Sequence, residues 1–470
     1  MKPGVLFFSG IILFTGCAHF QPQPVSPEKT ARQLESRSFD DAGLRKFLEQ
    51  NSNRQIKIWP QKNWDLDSLT LVAFYFHPGL EVARAQWHVA AAGTETAGAR
   101  PNPSVTFNPG YDSQIPGNYS PWLIPVTFDL PIETAGKRGK RIAEAEHTAE
   151  SARFTFMSAA WQIRSDVRSA LLNFTMTRCR SSLLAEQFST QQQIVKLLQQ
   201  RFTVGEISRP ELTTAQIALN QTELALSTAR ADASDARSHL GEALGLKVTA
   251  LDVENLQFDF STDTAATLIS GKAREAALRF RADILASLAD YATAEADLQL
   301  QIAKQYPDLH LGPGYAWNSG NAGDSQWSLG VTLELPILDQ NQGPIAEAEA
   351  RRKLAAAKFI ELQSQVIAQI DRTVAGFRIA EEQMKTGGEL LAAQAQQQKS
   401  LQAQLAAGAV EPLDILNGQL EADNAALTQL ENEAKVQSAF GALEDALQCP
   451  ADSMAAVIEK MATEKPEAKK

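Results

Sequence analysis

The sequence has few of the residues on which catalytic, metal-binding and redox proteins depend. Its 470 residues include only 3 cysteines and 6 histidines. Three cysteines cannot form a disulfide scaffold, and no histidine lies three or four residues from another, as paired metal ligands on a helix would. No phosphate-binding loop, nucleophile elbow or dinucleotide fingerprint occurs. We therefore expect no enzyme, no cofactor and no metal centre.

Basic residues, aromatic residues and long apolar runs are also scarce. Lysine and arginine (44) are fewer than aspartate and glutamate (55), and the net charge of −11 argues against a generic nucleic-acid-binding protein. Aromatic residues make up 7%, while Ala, Gln, Leu and Glu fill long stretches, which indicates long helices. No run of about 20 apolar residues follows the N-terminus, so we expect no membrane-spanning helix in the mature chain.

The N-terminal residues predict export and lipidation. After a charged start, residues 5–14 are apolar, and small residues lead to Cys17. This pattern is typical of a secretory signal peptide, here residues 1–16. The residues before Cys17 resemble a bacterial lipobox, with Phe14 where leucine is usual, so we predict that Cys17 is lipidated. In such lipoproteins Ala18, rather than aspartate, implies sorting to the outer membrane; an ordinary signal peptide with an incidental cysteine is the alternative.

Both ends of the mature chain differ in composition from its middle. Residues 17–66 contain Pro22, Pro24 and Pro27 followed by polar sequence, which favours an extended, lipidated linker. Residues 451–470 favour a flexible C-terminal tail. A disulfide between Cys179 and Cys449 and two free thiols remain equally open.

The remainder of the chain is a tandem repeat. Four collinear matches have nearly constant offsets of 204 (307 − 103), 205 (335 − 130), 203 (345 − 142) and 203 (408 − 205). The matched segments are 99–111 with 303–315, 130–132 with 335–337, 142–146 with 345–349, and Gly205 with Gly408. Because this period is too long for a solenoid unit, we predict two homologous halves, residues 67–262 and 263–450.

Each half is predicted to contain a very long helix and a return helix. The predicted helices are 67–98 with a break near His77, 141–203 and 209–244, then 264–304, 345–406 and 412–447. A helix of about 60 residues is roughly 90 Å long and needs coiled-coil partners. Its seam is indicated by Ile163, Val167, Ala170 and Phe174, which step by four and three. The helices alone do not exclude a plain soluble coiled coil.

Four segments between the helices alternate apolar and polar residues. They are residues 103–111, 122–132, 307–317 and 326–336. In the second segment Trp122, Ile124, Val126, Phe128 and Leu130 share one face. Such alternation over about ten residues, with aromatic residues near the strand ends, is typical of transmembrane barrel strands. A half-buried sheet in a soluble domain is the alternative.

Four strands cannot close a barrel, because every strand edge in lipid must be paired. A homotrimer would supply 3 × 4 = 12 strands. The predicted fold is therefore mainly α with transmembrane β, in which three chains form one 12-stranded β-barrel; the family resemblance described next implies that it stands on a long periplasmic α-helical coiled-coil barrel.

This pattern resembles the TolC-like outer-membrane efflux family over about residues 67–450. The run from Pro131 to Arg138, with Arg141, and the run from Arg100 to Pro103 are similar to its cobalt–zinc–cadmium (CzcC-like) branch. The resemblance implies a homotrimeric passive duct in outer-membrane lipid. It also implies a periplasmic adaptor (membrane fusion) protein and an inner-membrane RND-type proton-driven pump as partners, with heavy-metal cations as substrate. The alternatives are a duct for drugs or organic compounds, and a non-conducting structural periplasmic lipoprotein.

The resemblance also assigns candidate sites at the tips of the helical hairpins. Residues matching the adaptor-contact tips are Val204, Gly205, Glu206, Ile207, Ser208, Ala407, Gly408, Ala409 and Val410. Candidate residues of the channel aperture are Glu211, Glu411, Asp414 and Asn417. Asn417 replaces the second of two family aspartates, which puts plugging of the aperture by divalent ions in doubt. Threefold rings of the carboxylates would attract cations, whereas the alternative is solvated carboxylates favoured by helix N-termini.

Overall fold

The computed structural model of the protein describes residues 19–51, 56–114, 121–252, 255–318, 324–448 and 454–463. The predicted signal peptide, the lipidation site Cys17 and Cys449 lie outside these residues. Within them, no helix is at once long enough and apolar enough to cross a membrane.

Helices dominate the described residues in both halves of the chain. The helices up to residue 262 are α1 (Pro27–Glu35), α2 (Ala42–Asn51), α3 (Leu66–Phe76), α4 (Pro78–Gly98), α5 (Lys137–Thr203) and α6 (Arg209–Leu244). The helices after residue 262 are α7 (Ala265–Leu268), α8 (Gly271–Phe280), α9 (Ala282–Ala303), α10 (Gln342–Ala406), α11 (Pro412–Leu447) and α12 (Met454–Thr463). The predicted long helices and return helices are confirmed to within a few residues.

The long helices α5 and α10 contain 67 and 65 residues, so each spans on the order of 100 Å. α5 packs against α4, α6, α9 and α11, and α10 packs against α9 and α11. The predicted seam is confirmed: Ile163, Val167 and Phe174 are buried, and Ala170 packs against the same core. The core of each half is therefore an elongated layer between helices.

The predicted helix 264–304 is divided in the structure. It begins with the short α7, α8 ends at Phe280, and the backbone is extended at Arg281 before α9 starts. The Arg281 guanidinium donates to Asp283 (3.0 Å from Nε) and to the carbonyl of Ala446 on α11. Since this break depends on a distant carbonyl, local sequence did not indicate it, whereas Pro78 marked the equivalent break at His77.

The predictions of an extended linker and a flexible tail were wrong for the described parts of those segments. In α2, Leu44 and Leu48 are buried four residues apart, and Trp64 is buried beyond it. Pro27 begins α1 at a position where its missing N–H costs little, so the prolines did not prevent helix formation. At the C-terminus, α12 packs against α5 and buries Ile458.

The strands form two sheets. A parallel pair joins β1 (Asn63–Trp64) to β5 (Asn255–Leu256). The strands of the second sheet are β2 (Ser104–Phe107), β3 (Gly110–Tyr111), β4 (Trp122–Ile132), β6 (Leu309–Asn318) and β7 (Asp324–Leu333). Its order is β2-β4-β6-β7, all antiparallel, with β3 continuing β2 along β4. The last strand, which was predicted over residues 326–336, ends at Leu333, three residues before its predicted end.

The register of this sheet gathers the apolar residues onto one face. Ile124 lies opposite Trp317, Val126 opposite Tyr315, and Tyr315 opposite Trp327. Since directly opposed residues share a face, the alternations predicted for the individual strands merge into one apolar surface. This surface is exposed to the surroundings: Trp327 is 79% exposed.

Candidate functional site: hairpin tips, sheet and the junction between them

Both hairpin tips reverse the chain at a glycine. At the first tip Gly205 has φ 82°, its N–H donates to the Phe202 carbonyl (3.1 Å), and the Glu206 N–H donates to the Arg201 carbonyl (2.9 Å). At the second tip Gly408 has φ 71°. A left-handed residue with these bonds closes the end of a helix without a Cβ clash, so each of the two repeat-related glycines makes the turn at its tip.

The two tips of one chain are joined by polar and apolar contacts. Arg201 of the first tip donates to the Glu411 carboxylate of the second at 2.6 Å, and this hydrogen bond raises the pKa of Arg201. In addition, Ile207 of the first tip and Leu413 of the second pack against one buried cluster that includes Leu212. The tips therefore form one surface.

Most of the predicted adaptor-contact residues are exposed on that surface. The exposed ones are Val204, Gly205, Glu206, Ser208, Ala407, Gly408 and Ala409, whereas Ile207 and Val410 are half-buried. Val204 is 70% exposed although it is apolar. An exposed apolar side chain such as that of Val204 can contact another protein, whereas Ile207 packs into the buried core of the tips.

The four aperture candidates Glu211, Glu411, Asp414 and Asn417 are all exposed near the starts of the return helices. Asp414 accepts a hydrogen bond from the Glu411 N–H (2.9 Å), and the Glu411 side chain accepts one from the N–H of Asp414, which together form a capping box. The structure thus brings Glu411 and Asp414 together within one chain. Their role at the helix end is compatible with a charged ring, since both side chains stay exposed.

The run that resembles the metal branch forms the junction between sheet and helices. Arg141 donates to Glu133 (2.7 Å) and to the carbonyl of Ala97 at the end of α4 (2.8 Å). Arg138 donates to the carbonyl of Gly98 (2.7 Å). These arginines satisfy carbonyls that the end of a helix leaves without partners, so this basic cluster has a structural role.

In the second half, a carbonyl near the end of a helix also accepts a hydrogen bond, but from a different type of residue. Asn341 donates to the carbonyl of Gln301 near the end of α9, at 2.7 Å. In both halves, a side chain near the start of the long helix therefore donates to a carbonyl near the end of the helix that precedes the sheet.

The polar face of the sheet carries an imidazole–carboxylate pair. His310 Nδ1 lies 3.0 and 3.1 Å from the two carboxylate oxygens of Asp129 on the neighbouring strand. Gly312 and Gly314 follow on the same face, where neither residue has a side chain that projects from the sheet. Across the described ranges, no group of three or more His, Cys, Asp or Glu side chains is placed to hold a metal ion.

Sequence reasoning missed a buried charge cluster between the halves. Glu444 of α11 accepts from Arg164 (3.4 Å) and Arg168 (3.2 Å) of α5, and all three side chains are buried. Next to it, Asp445 accepts from Trp161 (3.1 Å), and burial raises the pKa of its carboxyl. The sequence signal for this cluster was that Arg164 and Arg168, which are four residues apart, both lie beside the apolar seam.

A protein-family model described as "Outer membrane efflux protein" matches residues 76–246 and 273–447. A curated relative, the cobalt-zinc-cadmium resistance protein CzcC of Cupriavidus metallidurans, is 26% identical over 234 residues. That match covers 50% of this chain and 54% of CzcC, so the chain spans about half the length of the curated relative.

Solved structures share the fold over most of the chain. The CusC channel has a TM-score of 0.66 at 17% identity, covering 84% of this chain and 95% of that one. The Campylobacter jejuni CmeC outer membrane channel has a TM-score of 0.67 at 14% identity, covering 85% and 89%.

Proposed function

Because this chain belongs to the outer membrane efflux protein family, we propose that it is the outer-membrane duct of a tripartite efflux system. It receives substrate from an inner-membrane RND-type proton-driven pump through a periplasmic adaptor and releases it outside the cell. The duct itself is passive.

The observation that carries this proposal is the open sheet. One face is apolar and exposed, the opposite face is polar, and the edges at β2 and β7 have no further strand beside them in the described chain. Lipid accepts an apolar face but not an open edge. A homotrimer pairs these edges and closes a 12-stranded β-barrel whose polar face lines the lumen.

Heavy-metal cations are the substrate class that we propose. The sequence match to a cobalt-zinc-cadmium resistance protein supports it, as does the net charge of −11. Exposed Glu211, Glu411 and Asp414 at the tips would each occur three times in a trimer. Rings of carboxylates concentrate cations and repel anions.

The tips are proposed to bind the adaptor, and lipid on Cys17 to anchor the chain in the outer membrane. Exposed Val204 and Ala409 support the first role, because apolar side chains at the end of a long hairpin otherwise face water. A Cys17→Ser variant should lose radiolabelled palmitate. Labelling that persists in the variant would contradict the assignment.

Reconstitution in a planar bilayer tests the duct. We expect the purified protein to produce discrete conductance steps with a preference for cations over anions. A trimer that never conducts would favour a structural lipoprotein instead.

Deletion of the gene tests the substrate. We expect the mutant to lose tolerance to zinc, cobalt or cadmium, and a plasmid copy to restore it. Unchanged metal tolerance together with lost tolerance to hydrophobic antibiotics would reject the metal assignment in favour of drug export.

A further inference from the structure

The polar face of the sheet carries an imidazole whose orientation is set by a carboxylate on the neighbouring strand. Nδ1 of His310 lies 3.0 and 3.1 Å from the two carboxylate oxygens of Asp129. Because an ionised carboxylate only accepts hydrogen bonds, Nδ1 carries a proton in this pair. The lone pair of the neutral ring is therefore at Nε2, the nitrogen that remains to bind a ligand.

The register of the strands explains how the two side chains meet. Pro131 lies opposite His310. Asp129 and Gly312 are each two residues further along the same face, so they lie beside each other. Since Gly312 has no side chain, the imidazole reaches Asp129 diagonally across it. The pair is accessible from the polar face, because 41% of the His310 side chain and 45% of the Asp129 side chain are exposed.

A second carboxylate lies near the imidazole on the same face. Thr332 of β7 is directly opposite His310, and Glu334 follows it by two residues. Glu334 is exposed, and together with His310 it lines a cavity of about 630 Å³ at the junction of sheet and helices. The wall also carries two lysines and two aspartates, so that with Glu334 the carboxylates outnumber the ammonium groups. An imidazole and a carboxylate therefore share an acidic cavity.

The internal repeat argues against a purely structural role for this imidazole. With the offset of 204, the repeat-related residue of His310 is Thr106. Thr106 lies opposite Thr127 in the hairpin of the first half, just as His310 lies opposite Thr332 in that of the second. The duplicated fold therefore forms without an imidazole at this position. Exposed ion pairs also contribute little to stability, so stability alone is a weak reason for the pair.

We propose that His310 and Glu334 form a transit site for divalent transition-metal cations on the wall of the lumen, a proposal that rests on the duct described above. Asp129 is the positioning residue, because a carboxylate that holds the second ring N–H is the usual companion of a metal-bound histidine. Imidazole nitrogen suits Zn²⁺, whereas carboxylates and water alone suit Mg²⁺ and Ca²⁺. The site therefore distinguishes these two classes of divalent cation.

Two protein ligands suit passage rather than storage. Zinc sites that hold their metal permanently have three or four protein ligands, and the described residues place no group of three or more His, Cys, Asp or Glu side chains to supply them. Water completes the coordination, and conduction needs sites that bind weakly enough to release. Because a 12-stranded barrel is wider than the eight-stranded barrel that side chains fill, the three copies of the site in a trimer act separately.

Protection from a histidine-modifying reagent tests the site in the intact protein. Diethyl pyrocarbonate modifies exposed imidazoles, and peptide mass spectrometry gives the modified fraction at each histidine. We expect Zn²⁺ to slow modification of His310, and an equal concentration of Mg²⁺ to leave it unchanged. His239 is the internal control: it is 60% exposed in its side chain, but its two ring nitrogens lie 3.4 and 3.5 Å from the carboxylates of Asp235 and Glu242. Zinc should protect it less.

Substitutions separate the ligands from the positioning residue. Asp129→Asn keeps an acceptor for Nδ1 but removes the charge, so the zinc concentration that half-protects His310 should rise about tenfold, as is typical when an outer-shell partner is lost. A merely structural role for Asp129 would leave that concentration unchanged. Glu334→Gln should raise it as well, because one ligand is lost.

Bilayer conductance in potassium chloride is recorded on the same samples. Zinc should reduce the potassium current of the wild type at concentrations at which magnesium does not, and His310→Gln should abolish this difference. A conducting channel on which zinc and magnesium act alike, or in which zinc protects His239 as strongly as His310, overturns the transit site and leaves the duct intact. A protein that never conducts refutes the duct and the transit role together.

Discussion

Replacing Glu444 with glutamine should destabilise the protein substantially, because this carboxylate is the shared partner of two buried arginines. Glu444 is 2% exposed, and it lies 3.4 Å from Arg164 and 3.2 Å from Arg168. Glutamine keeps the shape and one acceptor oxygen but removes the negative charge. Arg168 retains the carbonyl of Gln437, at 2.8 Å.

The expected cost follows from the burial of the cluster. Breaking a buried ion pair by removing one partner typically costs 3–5 kcal/mol. Because glutamine preserves one acceptor, we expect about 3 kcal/mol, the lower end of that range. At about 2.1 cal/mol/K per residue, the unfolding entropy of a chain of 470 residues is roughly 1 kcal/mol/K. The midpoint of thermal unfolding should therefore fall by about 3 °C.

Glu431→Gln is the matched control on the same helix. Glu431 is 55% exposed in its side chain, and its nearest arginine nitrogen, on Arg180, is 4.0 Å away. Exposed pairs contribute less than about 1 kcal/mol, so this midpoint should move by less than about 1 °C. Both variants are measured by circular dichroism in detergent at one scan rate. Equal shifts, or an unchanged midpoint for Glu444→Gln, would refute the reasoning.

Three further predictions concern other parts of the molecule. Gly441→Ala places a Cβ on the buried Arg168 guanidinium and should lower the free energy of unfolding by about 1–3 kcal/mol. Gly376→Ala, whose Cβ would meet no neighbouring atom, should stabilise the helix by up to about 1 kcal/mol. Melting midpoints that shift in the same direction for both variants would contradict this. Burial raises the pKa of Asp445, so its ionisation destabilises the folded state as pH rises from about 4 through that raised pKa. The melting midpoint of Asp445→Asn minus that of the wild type should therefore increase between pH 4 and pH 7, and a decrease would show that the sign is wrong. Asp414→Asn keeps a capping oxygen but removes three charges per trimer, so cation preference in bilayers should fall; an unchanged reversal potential would place this residue away from the ion path.

The sequence identified the features that depend on local periodicity. The alternation in 122–132 fixed which residues share a face, because side chains of a strand alternate whatever the strand pairs with. Pro78 and the tip glycines Gly205 and Gly408 marked a helix break and two turns, since their backbone restrictions act locally. The internal repeat gave the order of elements in the second half from that in the first.

Features that depend on distant partners were missed. The break at Arg281 is held by a carbonyl on α11, and the segment predicted as a linker folds because Leu44 and Leu48 find a core formed by other helices. The Arg164–Glu444 pair joins residues 280 positions apart. The tip carboxylates lie exposed near the starts of the return helices, and the capping bond of Asp414 is visible only in the tertiary structure.

The sequence by itself thus determined the helices, the strand faces, the turns and the duplication, because each follows from the conformational preferences of neighbouring residues. Only the tertiary structure decided the order and register of the strands, the burial of the charge cluster and the early end of β7. These depend on which distant segment lies alongside, and no strand of the described chain pairs with residues 334–336, which follow β7.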